Sequence, residues 1–437
     1  MQVLGIGIIF ITLVIKFTNK NISILNLLII FSFFSVIGFV NIGSIGIGID
    51  KAMSYIILIL FLLHILNTRR VYISFNFIIF SLIAILIVIL PLLFSYEIVR
   101  YFISDKGITT EVINAFSIKS IIKSIELLFP ILLYIVFYNL SKNWNIESAY
   151  KILYFTLFVI CLTGLFDYLP FSLEIWNMIK TNIAYPTIVG GIESSSGAFR
   201  LSGITPEPSH LVVFAAFGFN MTLSKIINGS SNFLNTLLIL YFTVIGLLTY
   251  SPSFFIIIFP AIIYSWTRTT QNIFKVLYIF IILMIFISSY MLGYIDIMIN
   301  DMMIRIGSES IDNSSQLRTV SHILAFETWY DNYLMGVGFG NFLLPVGYPT
   351  LVLVSTGLFG ITFLIFILFR YISKLIDISK LYSNSYKYIW NGFMLNAIGL
   401  LFMGLFTKGY QIFLHLPYII IIILPLLRPM FLERKIK

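Results

Sequence analysis

The sequence predicts an all-α polytopic membrane protein, one integral unit over residues 1–437 with about 13 transmembrane helices (about 12–14 with soft boundaries). Three observations carry this. Of 437 residues, 59% are hydrophobic and 10% charged, and the mean hydropathy is +1.02; a soluble domain carries roughly 25% charged residues. The apolar residues gather into runs approaching or exceeding the roughly 20 residues a spanning helix needs. Lys and Arg gather in the short connections between those runs.

In chain order the candidate spans lie near 3–17, 22–41, 52–67, 73–95, 121–140, 149–169, 210–227, 233–249, 253–267, 273–297, 348–371, 388–407 and 411–428. The opening Met1-Gln-Val-Leu-Gly-Ile has no basic leader and no small-residue cleavage site, so it reads as a first span rather than a signal peptide. The single Cys161 sits inside an apolar run, which leaves no internal disulfide and no cysteine metal cluster. Four scattered histidines make a zinc site improbable, and His64 and His415 read as satisfied residues within the bundle. The net charge of +9 needs no nucleic acid, because loop lysines and arginines set orientation in a membrane.

Alternate connections differ in basic content. One set holds Lys16, Lys20, Arg69, Arg70, Lys142, Lys151, Lys225, Arg268, Lys275, Arg370, Lys374, Lys380, Lys387 and the tail from Arg428 to Lys437. That is about 17 basic residues in short loops against about 10 in long ones, which places the first set in the cytoplasm. The N-terminus is then outside and the C-terminus inside. Three longer segments fall outside. Residues 97–120 read as a surface-lying segment, and 170–209 and 298–347 form two large extracytoplasmic loops. An enzyme working on that side, without ATP, needs an energised substrate delivered to it.

The first large loop ends in Arg200-Leu-Ser-Gly-Ile-Thr-Pro-Glu207-Pro-Ser-His210, a polar island before an apolar helix. Pro208 suits the first helical position, where its missing N–H costs nothing. Arg200, the free N–H groups of the helix start and the helix dipole form a ready anion site. Glu207 and His210 stand beside it as candidate proton acceptors. The plainer readings are a snorkelling Arg200, a Glu207 that pairs with it, and a His210 that merely bonds at the helix start. Tyr250 and Ser251, in the turn Tyr250-Ser-Pro-Ser253, are candidate cavity-lining residues.

In the second loop, Asp312, Asn313 or Ser314 can cap a helix running to about Asn332. Arg318 and His322, four apart, share one face of it; Leu317, Val320, Leu324 and Phe326 are expected to pack. Arg305 lies upstream. Gly336-Val-Gly-Phe-Gly340-Asn341 is a glycine-rich turn that lets backbones approach closely. With no strand before it, a dinucleotide fold is not supported. The turn is either a re-entry loop before the span at 348 or the carrier of Arg318, with Asn341, over the cavity of Arg200. Two arginine forks from separate loops could clamp a diphosphate.

These residues resemble a family. Arg200-Leu-Ser-Gly-x-x-x-Glu207-Pro-Ser is similar to the R-x-x-G-x-x-x-E-P-S motif of bacterial oligosaccharide repeat-unit polymerases, the Wzy type of O-antigen and capsule assembly. Ser314-Ser-x-x-Arg318 with Gly336-Val-Gly-Phe-Gly-Asn-Phe342 resembles the second-loop pattern these share with O-antigen ligases, and Gly357-Leu-Phe-Gly360 resembles their following helix. Leu248-Thr-Tyr-Ser251 resembles a Thr-x-Ser-Arg turn, although Pro252 replaces the arginine.

The resemblance implies a GT-C-like membrane glycosyltransferase of the plasma membrane, without cofactor or metal. Donor and acceptor would be undecaprenyl-diphosphate-linked oligosaccharides. Arg200, Arg318 and Arg305 would bind the diphosphate, and Glu207 with His210 would take the acceptor's proton. His322, Tyr250, Ser251 and Asn341 would line the cavity. A chain-length regulator and a flippase would be its partners, beside the lipid bilayer. The rival readings are a ligase of the same superfamily and a flippase of lipid-linked sugars. A flippase should carry charges along many spans, and here the spans are almost free of them, with Glu126 and Asp167 near ends.

Overall fold

The structure is a computed structural model. It describes residues 24–34, 37–42, 45–68, 71–94, 97–104, 107–114, 118–140, 144–169, 171–180, 192–193, 199–228, 233–251, 253–268, 314–339, 341–342, 344, 346–380, 386–406 and 416–427. The expected spans near 3–17 and 273–297, and Arg305, lie outside the described residues.

Helices dominate. In chain order they are α1 (Ile24–Ser32), α2 (Ile49–Thr68), α3 (Phe75–Phe94), α4 (Ile118–Leu140), α5 (Ile146–Leu165), α6 (Ser172–Ile179), α7 (Pro208–Ile227), α8 (Phe233–Leu248), α9 (Ser253–Arg268), α10 (Ser314–Asp331), α11 (Tyr348–Lys380), α12 (Lys387–Phe406) and α13 (Leu416–Leu426). Among the described residues, five stretches are long and apolar enough to cross a membrane: Ile49–Leu66, Phe75–Leu93, Ile146–Tyr168, Pro208–Ile227 and Tyr348–Leu375. The chain is therefore a helical membrane protein.

Among the described residues, three small antiparallel hairpins interrupt the helices: β1 (Gly38–Ile42) with β2 (Ile45–Gly48), β3 (Glu97–Ser104) with β4 (Gly107–Asn114), and β5 (Ile192–Glu193) with β6 (Phe199–Arg200). The first corrects the expected span at 22–41. There the helix stops at Ser32, and in the strands that follow Gly38, Gly46 and Gly48 fall among Val40, Ile42, Ile45 and Ile47. Glycine disfavours helix and β-branched residues favour strands; hydropathy alone does not see that difference in period. The β3–β4 hairpin occupies the segment read as surface-lying. Its register sets Arg100 opposite Glu111 and Ile98 opposite Ile113.

The bundle is built around α7. Within the window Pro208–Ile227, 89% of residues are buried inside the protein, against 11% for Phe75–Leu93 in α3. Both are apolar, so burial separates a helix enclosed by protein from one that presents its side chains to lipid. Helices α5, α8, α9 and α12 pack around α7. Gly218 is where the ring of Phe242 on α8 comes close, and the Tyr150 hydroxyl of α5 donates to the Met221 carbonyl at 2.9 Å. At the far end of α7, Ser224 Oγ donates to the Tyr388 carbonyl of α12 at 2.6 Å. There the Lys225 ammonium lies 4.2 Å from the Tyr154 ring centroid and 5.5 Å from that of Tyr150. His64, expected inside the bundle, is instead exposed on α2.

A second apolar cluster gathers Val88 of α3, Ala325 of α10, Val337, Phe339 and Phe342 of the glycine-rich turn, and Val354 of α11. Two glycine motifs meet here. The Val337 N–H donates to the Val354 carbonyl at 2.9 Å, Gly338 N–H to Ser355 at 2.8 Å, and Leu358 N–H to Tyr333 at 2.9 Å. Gly336 (φ 71°) and Gly357 (φ 62°) both adopt left-handed backbone. A Cβ on Gly357 would stand 2.3 Å from the Leu334 carbonyl, so the contact is backbone against backbone. Gly357 also kinks α11.

Candidate functional site

The 199–207 loop is folded onto the end of α5 by one buried carboxylate. Asp167 sits in a short 3₁₀ turn, Phe166–Tyr168, that extends α5. Its Oδ1 accepts the Trp176 indole N–H of α6 at 2.6 Å. Its Oδ2 accepts the backbone N–H groups of Ser202 at 2.7 Å and Gly203 at 2.8 Å. Thr163 Oγ1 accepts the Ile204 N–H at 3.1 Å. A charged acceptor with three donors is well satisfied, which offsets the cost of burying it. Gly203 has φ 54°, and a Cβ there would lie 2.6 Å from Thr163 Oγ1 and 2.7 Å from the Gly164 nitrogen. The glycine of the Arg-Leu-Ser-Gly motif is thus required by contact with α5. Leu201 is fully buried. Lys180, at the end of α6, lies 5.8 Å from the Trp176 ring centroid. Burial pushes its ammonium down to about 8, opposed by the nearby Asp167 charge.

Arg200 closes β6 opposite Ile192 and is half-buried. Its Nε donates to the Thr249 carbonyl at the end of α8 at 2.9 Å, and the Leu201 N–H donates to the Leu248 carbonyl at 3.3 Å. The turn after α8 is tight: Tyr250 has φ 48°, and its N–H donates to the Leu247 carbonyl at 2.9 Å. Ser251 is buried. The structure therefore brings Tyr250 and Ser251 next to Arg200, two segments almost fifty residues apart in sequence. The Tyr168 ring stands 5.5 Å from that of Phe199 on the same side.

Glu207 is the N-cap of α7, in extended conformation (φ −148°, ψ 158°), with Pro208 in the first turn as expected. Its side chain makes no cap bond to the helix backbone. Instead Oε2 accepts the Ser209 hydroxyl at 2.9 Å, and its carbonyl accepts Thr205 Oγ1 at 2.9 Å. The carboxylate is half-buried at a helix start. One turn on, His210 is buried, with Nδ1 2.9 Å from the Tyr418 hydroxyl of α13 and the two rings stacked at 6.0 Å. His210 thus links α7 to α13, while Glu207 stays half-buried at the start of α7.

The second loop builds a separate unit. α10 starts at Ser314 and ends at Asp331, close to the predicted bounds. Arg318 lies on it; its side chain is outside the described residues. His322 is half-buried, and that burial lowers its imidazole pKa. The expected packing face is corrected in part: Leu324 packs against the second apolar cluster as expected, and the Leu317 side chain lies outside the described residues. Val320 and Phe326 are 40% and 50% exposed, whereas Ser321, Ala325 and Thr328 are buried. These small residues let α10 lie close against α11, an arrangement hydrophobicity alone does not disclose. Asn341 is fully buried: its Oδ1 accepts Ser120 Oγ of α4 at 2.6 Å and its Nδ2 donates to the Val337 carbonyl at 2.8 Å. Its described bonds tie the glycine-rich turn to α4, a fastening role that sequence reading did not assign.

The described contacts of α10 and the turn run to α3, α4 and α11. Those of the Arg200 loop run to α5, α6 and the end of α8. Asp167, Trp176 and Tyr418 were not legible as site residues, although a carboxylate at the end of a charge-free span had to find donors. No protein-family model matches this chain, and no curated protein matches it.

Proposed function

We propose that the protein is a membrane glycosyltransferase that polymerises oligosaccharide repeat units carried on undecaprenyl diphosphate. On this reading it has about 13 spans in a GT-C-like bundle, and it works on the outer face of a bacterial plasma membrane with the N-terminus outside and the C-terminus in the cytoplasm. The observation that carries the reading is that one motif supplies both a cation and a carboxylate to one end of a buried helix. Arg200 is anchored by Thr249, Glu207 starts α7, and Asp167 holds the backbone between them. Lys225 and the start of α12 lie at the opposite end of α7, which agrees with basic residues on the cytoplasmic side.

In the proposed reaction the diphosphate of the donor binds Arg200, with Arg318 and Arg305 closing over it. The cations neutralise charge that grows on the leaving diphosphate. Glu207 accepts the proton of the acceptor hydroxyl as that oxygen attacks the anomeric carbon and the sugar–phosphate bond breaks. Inversion at the anomeric carbon follows. His210 holds the first turn of α7 against α13 through Tyr418. No step requires a cofactor.

The test is Glu207→Gln in the organism that carries the protein, with surface polysaccharide resolved on a gel and membrane insertion checked by immunoblot. Loss of the long-chain ladder with single repeat units retained supports the polymerase. Loss of every surface unit points to ligase or flippase, and an unchanged ladder removes Glu207 from the mechanism.

A further inference from the structure

A groove of about 480 Å³ runs between α3, α4, α11, α12 and α13, away from the Arg200 loop. That size is within the roughly 300–1,000 Å³ of ligand pockets. Phe77, Ala84, Ile131, Leu364, Ile367 and Ile423 are among its walls. Several wall hydroxyls are spent on backbone carbonyls: Ser81 Oγ donates to Phe77 at 2.8 Å, Thr356 Oγ1 to Val352 at 2.7 Å and the Tyr371 hydroxyl to Ile422 of α13 at 2.8 Å. The groove thus offers a long, mostly apolar surface. Towards one end it changes character. Arg370 and Lys374, one turn apart on α11, both line it and are both exposed. The Arg370 guanidinium lies 6.0 Å from the Phe366 ring centroid, its stem along apolar surface and its charge at the edge. Asp377, the next acid along α11, does not line it.

A water-soluble ligand would leave its polar groups unmatched against this wall. An acyl chain matches the wall, and an anionic head group matches the two cations. From Gly360 to Lys374 the groove follows α11 for about 21 Å at 1.5 Å per residue, more than half of a hydrocarbon core of roughly 30 Å. One leaflet's acyl chain therefore fits beneath the head group. The basic part also lies toward the end of the bundle opposite Glu207. α11 continues from it to Lys380, α12 begins at Lys387, and Tyr388 there is bonded to Ser224 at the far end of α7. A carrier lipid presenting its diphosphate to Arg200 would point the other way.

We infer that this groove binds an anionic glycerophospholipid, with its phosphate on Arg370 and Lys374 and an acyl chain between α3, α4, α11 and α13. Basic pockets between membrane helices hold anionic lipids through this combination, and each cation near the surface contributes about 1 kcal/mol, or about fivefold in affinity. The site is independent of the catalytic proposal.

The test is native mass spectrometry of the full-length protein, delipidated in detergent and titrated with phosphatidylglycerol, phosphatidylcholine of the same chains, and undecaprenyl phosphate. Phosphatidylglycerol is expected to bind at least fivefold tighter than phosphatidylcholine. Arg370→Gln and Lys374→Gln should each weaken phosphatidylglycerol about fivefold and phosphatidylcholine, whose choline offsets its phosphate, by less. Ala84→Trp, which fills the wall, should weaken both while the protein stays monodisperse. Equal affinity for the two phospholipids, or a preference that survives the double substitution, would overturn the inference. Tighter, charge-dependent retention of undecaprenyl phosphate would overturn it too, by giving the groove to the carrier lipid.

Discussion

Asp167 Oδ2 accepts the N–H of Gly203 at 2.8 Å, joining the end of one apolar helix to a loop 36 residues later in the chain. Because the same oxygen also holds Ser202, and Oδ1 holds Trp176, one side chain sets the path of the backbone between Arg200 and Glu207. The chemistry proposed for the two charged residues therefore depends on a third that touches neither substrate.

Asp167→Asn replaces a charged acceptor by a neutral one and turns an NH₂ towards donors. Hydrogen bonds to charged groups contribute about 1.5–3 kcal/mol each, so the loop should undock. We expect normal membrane insertion, faster proteolysis within residues 170–209 and a shortened polysaccharide ladder. Glu207→Gln, by contrast, should shorten the ladder without changing the proteolysis rate, which separates positioning from chemistry.

His210 and Tyr418 should show coupling. His210→Gln and Tyr418→Phe each remove the 2.9 Å bond between α7 and α13. A double-mutant cycle on thermal stability in detergent is expected to return an interaction energy of about 0.5–1.5 kcal/mol. Additive effects would show that the two helices are held by apolar packing alone.

Lys180 predicts a pH dependence. Its pKa in the docked loop is pushed down to about 8 from an ordinary value of 10.5. Between those values the opened loop binds a proton that the docked loop lacks, so docking strengthens as pH rises. The cost of the buried charge is present in full below the docked pKa. Proteolysis of the 170–209 segment should slow roughly tenfold or more between pH 7 and pH 9.5. Lys180→Met should flatten that dependence and protect the loop at pH 7.

Gly357→Ala should break the contact between the glycine-rich turn and α11. The residue combines φ 62° with a carbonyl 2.3 Å from any Cβ. Left-handed strain in a non-glycine residue costs of order 1–3 kcal/mol, and the clash adds to it. A drop in melting temperature, with protease cleavage newly appearing near residues 333–342, is the expected outcome. Gly360→Ala is a poorer comparison, because Thr356 crowds that position from the same helix.

Much of this molecule was legible before any coordinates. The start of α7 at Pro208 follows from a proline whose missing N–H costs nothing at a helix start, and α10 runs from Ser314 to Asp331, close to the bounds read from the sequence. The five long apolar helices follow from hydropathy, which depends on composition within a window. Gly336 and Gly338 were readable as a close-approach turn, because only glycine tolerates that backbone.

Tertiary structure decided the rest, for one physical reason: a local pattern does not name its partner. Hydropathy marked both α7 and α3 as apolar enough to span, but did not disclose that α7 is enclosed by protein and α3 mostly open, because it does not record what packs against a helix. It also missed that Gly38–Gly48 pairs as strands, because period rather than apolar content separates the two states. Asp167 was visible only as a charge near a span end; its meaning lies in three donors brought from two other segments. Small Ser321 and Ala325, not larger Val320 and Phe326, face α11 because close approach of two backbones rewards small side chains. The residue types that could do chemistry were set by sequence. Which of them share a site was set by long-range hydrogen bonds and packing, which sequence spacing does not encode.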